Sequence, residues 1–91
     1  MDPREATFLS ALEAWRSAEE NRILASEQYR EAHARAFRAQ EKATDAARKA
    51  YADETTSKLR LDRDFAESAA THAHHRVVFY RGPAGERSAR D

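Results

Sequence analysis

Three of the chain's four histidines, His72, His74 and His75, stand together in the run HAHH. On a helix His72 and His75 are three apart and share a face, a spacing that zinc sites use. A zinc site also wants three or four ligands. The neighbours Glu67, Ser68 and Thr71 are weak ligands or wrongly placed, and His33 belongs to a distant stretch. His72 and His75 therefore make half a metal site. The expectation is a solvated histidine face near a helix C-terminus, where positive charge is favoured, with no metal and no cofactor.

The other chemistry-bearing residues are as unpromising for catalysis. Asp62, Asp64 and Glu67 alternate with Arg60 and Arg63, which reads as a salt-laced exposed face. No carboxylate lies in an apolar run that would shift its pKa. Ser10, Ser17, Ser26, Ser57 and Ser68 lack the glycines of a nucleophile elbow, and no Gly-rich loop could cradle a phosphate. There is no cysteine, hence no thiolate nucleophile and no disulfide. The expectation is a non-enzyme. A strip of Arg30, Arg35, Arg38, Lys42, Arg48 and Lys49 could meet nucleic acid. Glu31, Glu41 and Asp45 are interleaved with it, and the whole chain balances 16 basic against 16 acidic residues. Nucleic acid is not the favoured partner on that balance.

The elements that must carry these residues are helical. Between Arg4 and Arg81 there is no glycine and no proline. Alanine recurs every seventh residue at Ala11, Ala18, Ala25, Ala32, Ala39 and Ala46. Phe8, Trp15, Arg22, Tyr29, Ala36, Ala43 and Ala50 fill the intervening positions, so only Arg22 interrupts the apolar pattern. A stripe of this kind makes a helix lie close against another helix. Arg22 either snorkels from the seam or pairs with a carboxylate to fix register. Asp2 as cap, Pro3 at the first helical position and Glu5 three residues after the cap mark the start. Gly82 and Pro83 mark a stop, leaving 82–91 as a flexible tail.

A single helix over 3–81 would run about 120 Å, so a hairpin is expected instead. The polar segment Asp53–Ser57 and the pair Thr44-Asp45 are the weak points. A second stripe follows them: Leu59, Ala66, Ala70, Ala73, Val77 and Tyr80, with Arg63 interrupting. The fold class is thus all-α: a long antiparallel helical hairpin, coiled-coil-like, with an Ala-rich seam and room for a short third helix at the turn. The expected bounds are about 3–42, a short or bent piece over about 45–52, and about 54–81. Its seam comprises Ala11, Ala18, Ala25, Tyr29, Ala32, Ala36, Leu59, Ala66, Ala70 and Ala73. Facing residue numbers should total about 96, which sets Phe37 against Leu59, Ile23 against Ala73 and Trp15 against Tyr80, or about 104 where the first helix runs unbroken to 51. The last helix is then the shorter one. Phe8, Leu9, Leu12 and Trp15, with Val77, Val78, Phe79 and Tyr80, form an uncovered apolar end that reads as an interface. Self-association into a bundle, a dimer first, would bury it.

The stretch Ala50-Tyr51-Ala52-Asp53, then Leu59-Arg60-Leu61-Asp62-Arg63-Asp64-Phe65-Ala66-Glu67, resembles small alanine- and charge-rich helical proteins encoded by actinobacterial tailed phages. So does the Tyr29-Arg30-Glu31-Ala32 segment. The resemblance covers about 15–80 and implies a phage accessory protein acting in the host cytoplasm. It carries no functional residues with it. HAHH and Val77-Val78-Phe79-Tyr80 depart from the pattern of that group. A secreted hairpin family with a Trp-x-Gly turn does not fit, because Arg16-Ser17 follows Trp15.

The functional expectation is an oligomeric interaction protein that binds a host or phage protein. A nucleic-acid accessory factor in recombination or transcription is the alternative. The N-terminus lacks signal-peptide order and no apolar run reaches the ~20 residues of a membrane span, so a cytoplasmic location without membrane contact is expected.

Overall fold

The first helix starts where a carboxylate can satisfy its free amides. Asp2 is extended (φ −62°, ψ 136°) and its side chain accepts a hydrogen bond from the Arg4 N–H at 3.1 Å. Pro3 follows at the first helical position, where its missing N–H costs nothing. A computed structural model describes the backbone of residues 2–90 and the side chains of residues 2–81. Among the described residues the fold is all-α, with three helices: α1 (Pro3–Ala39), α2 (Asp45–Thr55) and α3 (Ser57–Arg90).

The chain reverses at residues 40–44. Gln40 leaves helical geometry (φ −103°, ψ 48°), and Thr44 caps α2 by accepting the Ala47 N–H at 3.2 Å. Arg48 then reaches back across the turn. Its guanidinium lies 4.3 Å from the centre of the Phe37 ring and donates to the Phe37 carbonyl at 3.1 Å. One side chain thereby gives the Phe37 carbonyl, already met by the Gln40 N–H at 3.4 Å, a second donor and clamps α2 onto α1.

The polar segment 53–57 does not reverse the chain. Helical hydrogen bonding passes through it, from the Thr56 N–H to the Ala52 carbonyl and from the Arg60 N–H to the Thr56 carbonyl. The buried Thr56 hydroxyl donates to the same Ala52 carbonyl at 2.6 Å. Back-bonding of this kind bends a helix without ending it. So α2 and α3 are two halves of one bent limb, antiparallel to α1.

This placement changes the register. Cross-limb neighbours are Trp15 with His74, Tyr29 with Arg63, and His33 with Asp53. Their numbers total 89, 92 and 86, and a total of about 88 sets the buried residues Val77, Ala70, Thr56 and Ala52 level with Ala11, Ala18, Ala32 and Ala36. The expected total of about 96 is corrected. Phe37 sits under Arg48 instead of against Leu59, and Trp15 packs on His74 instead of beside Tyr80. The cause is the early turn: with α2 inside the second limb, the two limbs end flush.

The seam runs along both limbs. Ala11, Ala36 and Ala70 are buried, and Ala18, Ala25, Tyr29, Ala32, Leu59, Ala66 and Ala73 are half-buried. Ala39, Ala46 and Ala50 are exposed, because the turn resets the phase before α2 begins.

At the far end, α3 runs to Arg90. The expected stop at Gly82-Pro83 and tail over 82–91 are replaced by helix through residue 90; Asp91 lies outside the described residues. Pro83 cannot return an N–H to the Phe79 carbonyl. The residues beyond it (Ala84, Glu86, Arg87, Ala89 and Arg90) favour helix nonetheless.

Candidate interaction surfaces

The principal extents are 62 × 27 × 13 Å, which is a single layer of helices with two broad faces. Helix spacing sorts the residues flanking the seam onto one face or the other.

One face is small and apolar. Ala14, Ser17, Ala18 and Asn21 of α1 and Asp62, Phe65, Ala66 and Ala69 of α3 line a shallow groove of about 560 Å³. Alanines and a serine make a floor that lets another surface approach closely. Phe65 forms one wall and is 81% exposed, the most exposed of the large apolar side chains among the described residues. Leu24, one turn beyond Asn21, is also exposed.

The opposite face is charged. Trp15, Glu19 and Arg22 of α1 and Glu67, Ala70, Thr71 and His74 of α3 line a groove of about 520 Å³. The Trp15 and His74 rings are tilted at 48° with centres 4.9 Å apart. Arg22 donates to the Glu19 carboxylate, the shortest contact being 2.9 Å. That hydrogen bond holds the Glu19 carboxyl below the ordinary carboxylate range and raises the Arg22 guanidinium. Arg22 thus takes the carboxylate option, but with a partner three residues away on its own helix, so the pair does not bridge the limbs.

Nearer the turn, a polar chain links all three helices. Asp53 of α2 contacts His33 of α1, the His33 ring lies 5.6 Å from that of Tyr29, and Arg63 of α3 covers Tyr29 at 4.6 Å. Arg63 also bonds Asp64 at 3.0 Å, which raises its pKa, and lies 3.9 Å from Glu67.

The expected interface residues are dispersed by this geometry. Val77 is only 5% exposed and lies in the seam, not on the surface. Phe8, Leu12 and Trp15 are half-buried, while Leu9, Val78, Phe79 and Tyr80 remain exposed. Phe79 packs edge-on against Tyr80, ring centres 5.3 Å apart. At that end only Val77 is withdrawn into the seam; Leu9, Val78, Phe79 and Tyr80 stay uncovered. His72 and His75 are both exposed, and among the described residues no group of three or more His, Cys, Asp or Glu gathers as a metal site would require. Arg30, Arg35 and Arg38 of the basic strip share a shallow depression with Glu31, whereas Arg48 is turned inward onto Phe37. No helix among the described residues is long and apolar enough to cross a membrane.

The groove around Phe65 escaped the reading of the sequence. Its signal was present: Phe65, His72 and Phe79 repeat every seventh residue, one step outside the seam. No family model, curated protein or solved structure matches the chain.

Proposed function

We propose that this chain is a non-enzymatic helical interaction protein that self-associates and binds a protein partner. One observation carries the reading. Among the described residues the buried apolar set is Ala11, Ala36, Ala52, Ala70 and Val77, while Leu9, Ile23, Leu24, Tyr51, Leu61, Phe65, Val78, Phe79 and Tyr80 are exposed. Nine of the larger apolar side chains thus stay exposed, while the fully buried apolar set is alanine but for Val77. A helical layer stays stable by burying a face against a second layer, and a seam of methyl groups contributes only about 0.8 kcal/mol for each fully buried carbon.

The groove-lining groups suit recognition better than turnover. Among the described residues the groove hydroxyls Ser17 and Thr71 have no histidine or carboxylate hydrogen-bonded to them. The resemblance to actinobacterial phage proteins supplies a setting, an accessory role in the host cytoplasm. Light scattering over a concentration series tests the central claim: the expected mass is that of a dimer or larger, and a strict monomer at high concentration removes it.

A further inference from the structure

The apolar groove carries more than a general tendency to associate. We infer that the Phe65 face is an isologous docking surface for a second copy of this chain, each copy's Phe65 seating in the alanine-floored groove of the other. The inference rests on the self-association reading and names where that association occurs.

Three observations converge on a second copy. The first is shape. A twofold interface must place its projection and its recess on the same surface. Phe65 is the projection at 81% exposure, and the groove beside it, about 560 Å³, is the recess. In the observed register Phe65 is level with residue 23 of α1. A twofold axis lying in the interface plane, crossing midway between Phe65 and Ser17 at right angles to the line joining them, then sets each Phe65 over Ser17 of the other copy.

The second observation is size. The broad face is bounded by 62 and 27 Å, about 1,700 Å² in outline. A stable interface needs about 800 Å² per partner, so half of the face suffices. The third is composition. The groove floor is Ala14, Ala18, Ala66 and Ala69 with Ser17, and Asp62 and Asn21 stand at its edges. A central aromatic anchor among small residues, with polar groups outside it, is the anatomy of a protein interface core. The opposite face holds the Glu19–Arg22 pair and the exposed Glu67 along its groove, charges that would be costly to desolvate.

Sedimentation equilibrium on the full chain tests this with Phe65→Glu, Ser17→Arg, Ile23→Glu and Phe79→Glu. Phe65 and Ser17 are exposed in the single hairpin, so circular dichroism should show unchanged helicity. Phe65→Glu and Ser17→Arg should each weaken association at least about thirty-fold. Ile23→Glu, one turn from Glu19 on the charged face, should leave it within about threefold. A dimer that survives Phe65→Glu and Ser17→Arg but dissociates with Ile23→Glu or Phe79→Glu overturns the groove assignment and leaves self-association standing. A monomeric wild type ends both. A second measurement keeps one of the two Phe65 anchors of the pair. The chain has no cysteine, so Ser17→Cys and Phe65→Cys chains can be mixed under mild oxidation. A disulfide joining the two different chains is expected, with far less from either alone; no mixed product while the dimer persists would overturn the geometry.

Discussion

His33 Nε2 and Asp53 Oδ1 lie 2.8 Å apart although twenty residues separate them. Asp53 belongs to the polar run that by composition looks like a turn. In the fold it is a mid-helix residue of α2, held against α1 by a histidine just outside the seam. Both side chains are partly exposed, so the pair contributes as a hydrogen bond between limbs more than as a buried ion pair. His33→Ala and Asp53→Ala should each destabilise the hairpin by about 0.5–1.5 kcal/mol. The double variant should cost less than the sum of the two. Urea unfolding of the four proteins measures this coupling, and strict additivity would show that the contact contributes nothing.

The seam predicts an unusual intolerance of larger residues. Ala52 is fully buried and comes level with Ala36, itself 8% exposed. Neither limb has room for added methylenes at that level, because small residues face small residues. Ala52→Leu or Ala36→Leu should destabilise by about 1–3 kcal/mol through overpacking. Ala46→Leu, on the exposed side of α2, should change stability by less than about 0.5 kcal/mol. Thermal melts of the three variants decide whether the seam is as close as described.

The helical class, the alanine seam and the cap at Asp2 were legible because each is local or periodic: a cap needs four residues and a stripe repeats every seven. The register was not legible, and the reason is particular. Residues Gln40–Thr44 reverse the chain without a glycine or a proline. Asp53–Ser57, richer in helix-disfavouring residues, continues it because Thr56 and Asp53 find tertiary or back-bonded partners. A shift of about eight in the total of facing numbers follows from that one exchange. It takes Val77 from surface to seam. The Phe65 groove was invisible for a related reason: which flank of a seam is recessed depends on the facing limb, hence on register.

Register can be tested by covalent capture. Ala18 and Ala70 are level in the observed pairing, whereas a total of about 96 would set Ala18 beside Val78. The chain's lack of cysteine makes introduced thiols unambiguous. Ala18→Cys with Ala70→Cys should form an intramolecular disulfide under mild oxidation, seen as a shift in non-reducing electrophoresis. Ala18→Cys with Val78→Cys should not. The opposite pattern would restore the longer register.

The Glu19–Arg22 pair predicts a pH response on the charged face. The Arg22 hydrogen bond lowers the folded-state pKa of Glu19 relative to the unfolded chain. A depressed carboxylate adds stability that is present above its unfolded pKa and is lost as pH falls through the folded one. The effect is small because both partners are solvated. NMR titration should place the Glu19 carboxyl midpoint below that of the free side chain. In Arg22→Gln the midpoint should move back up, and the loss of helicity on acidification should flatten over the same interval. An unshifted Glu19 in the wild type would show that the pair does not hold in solution.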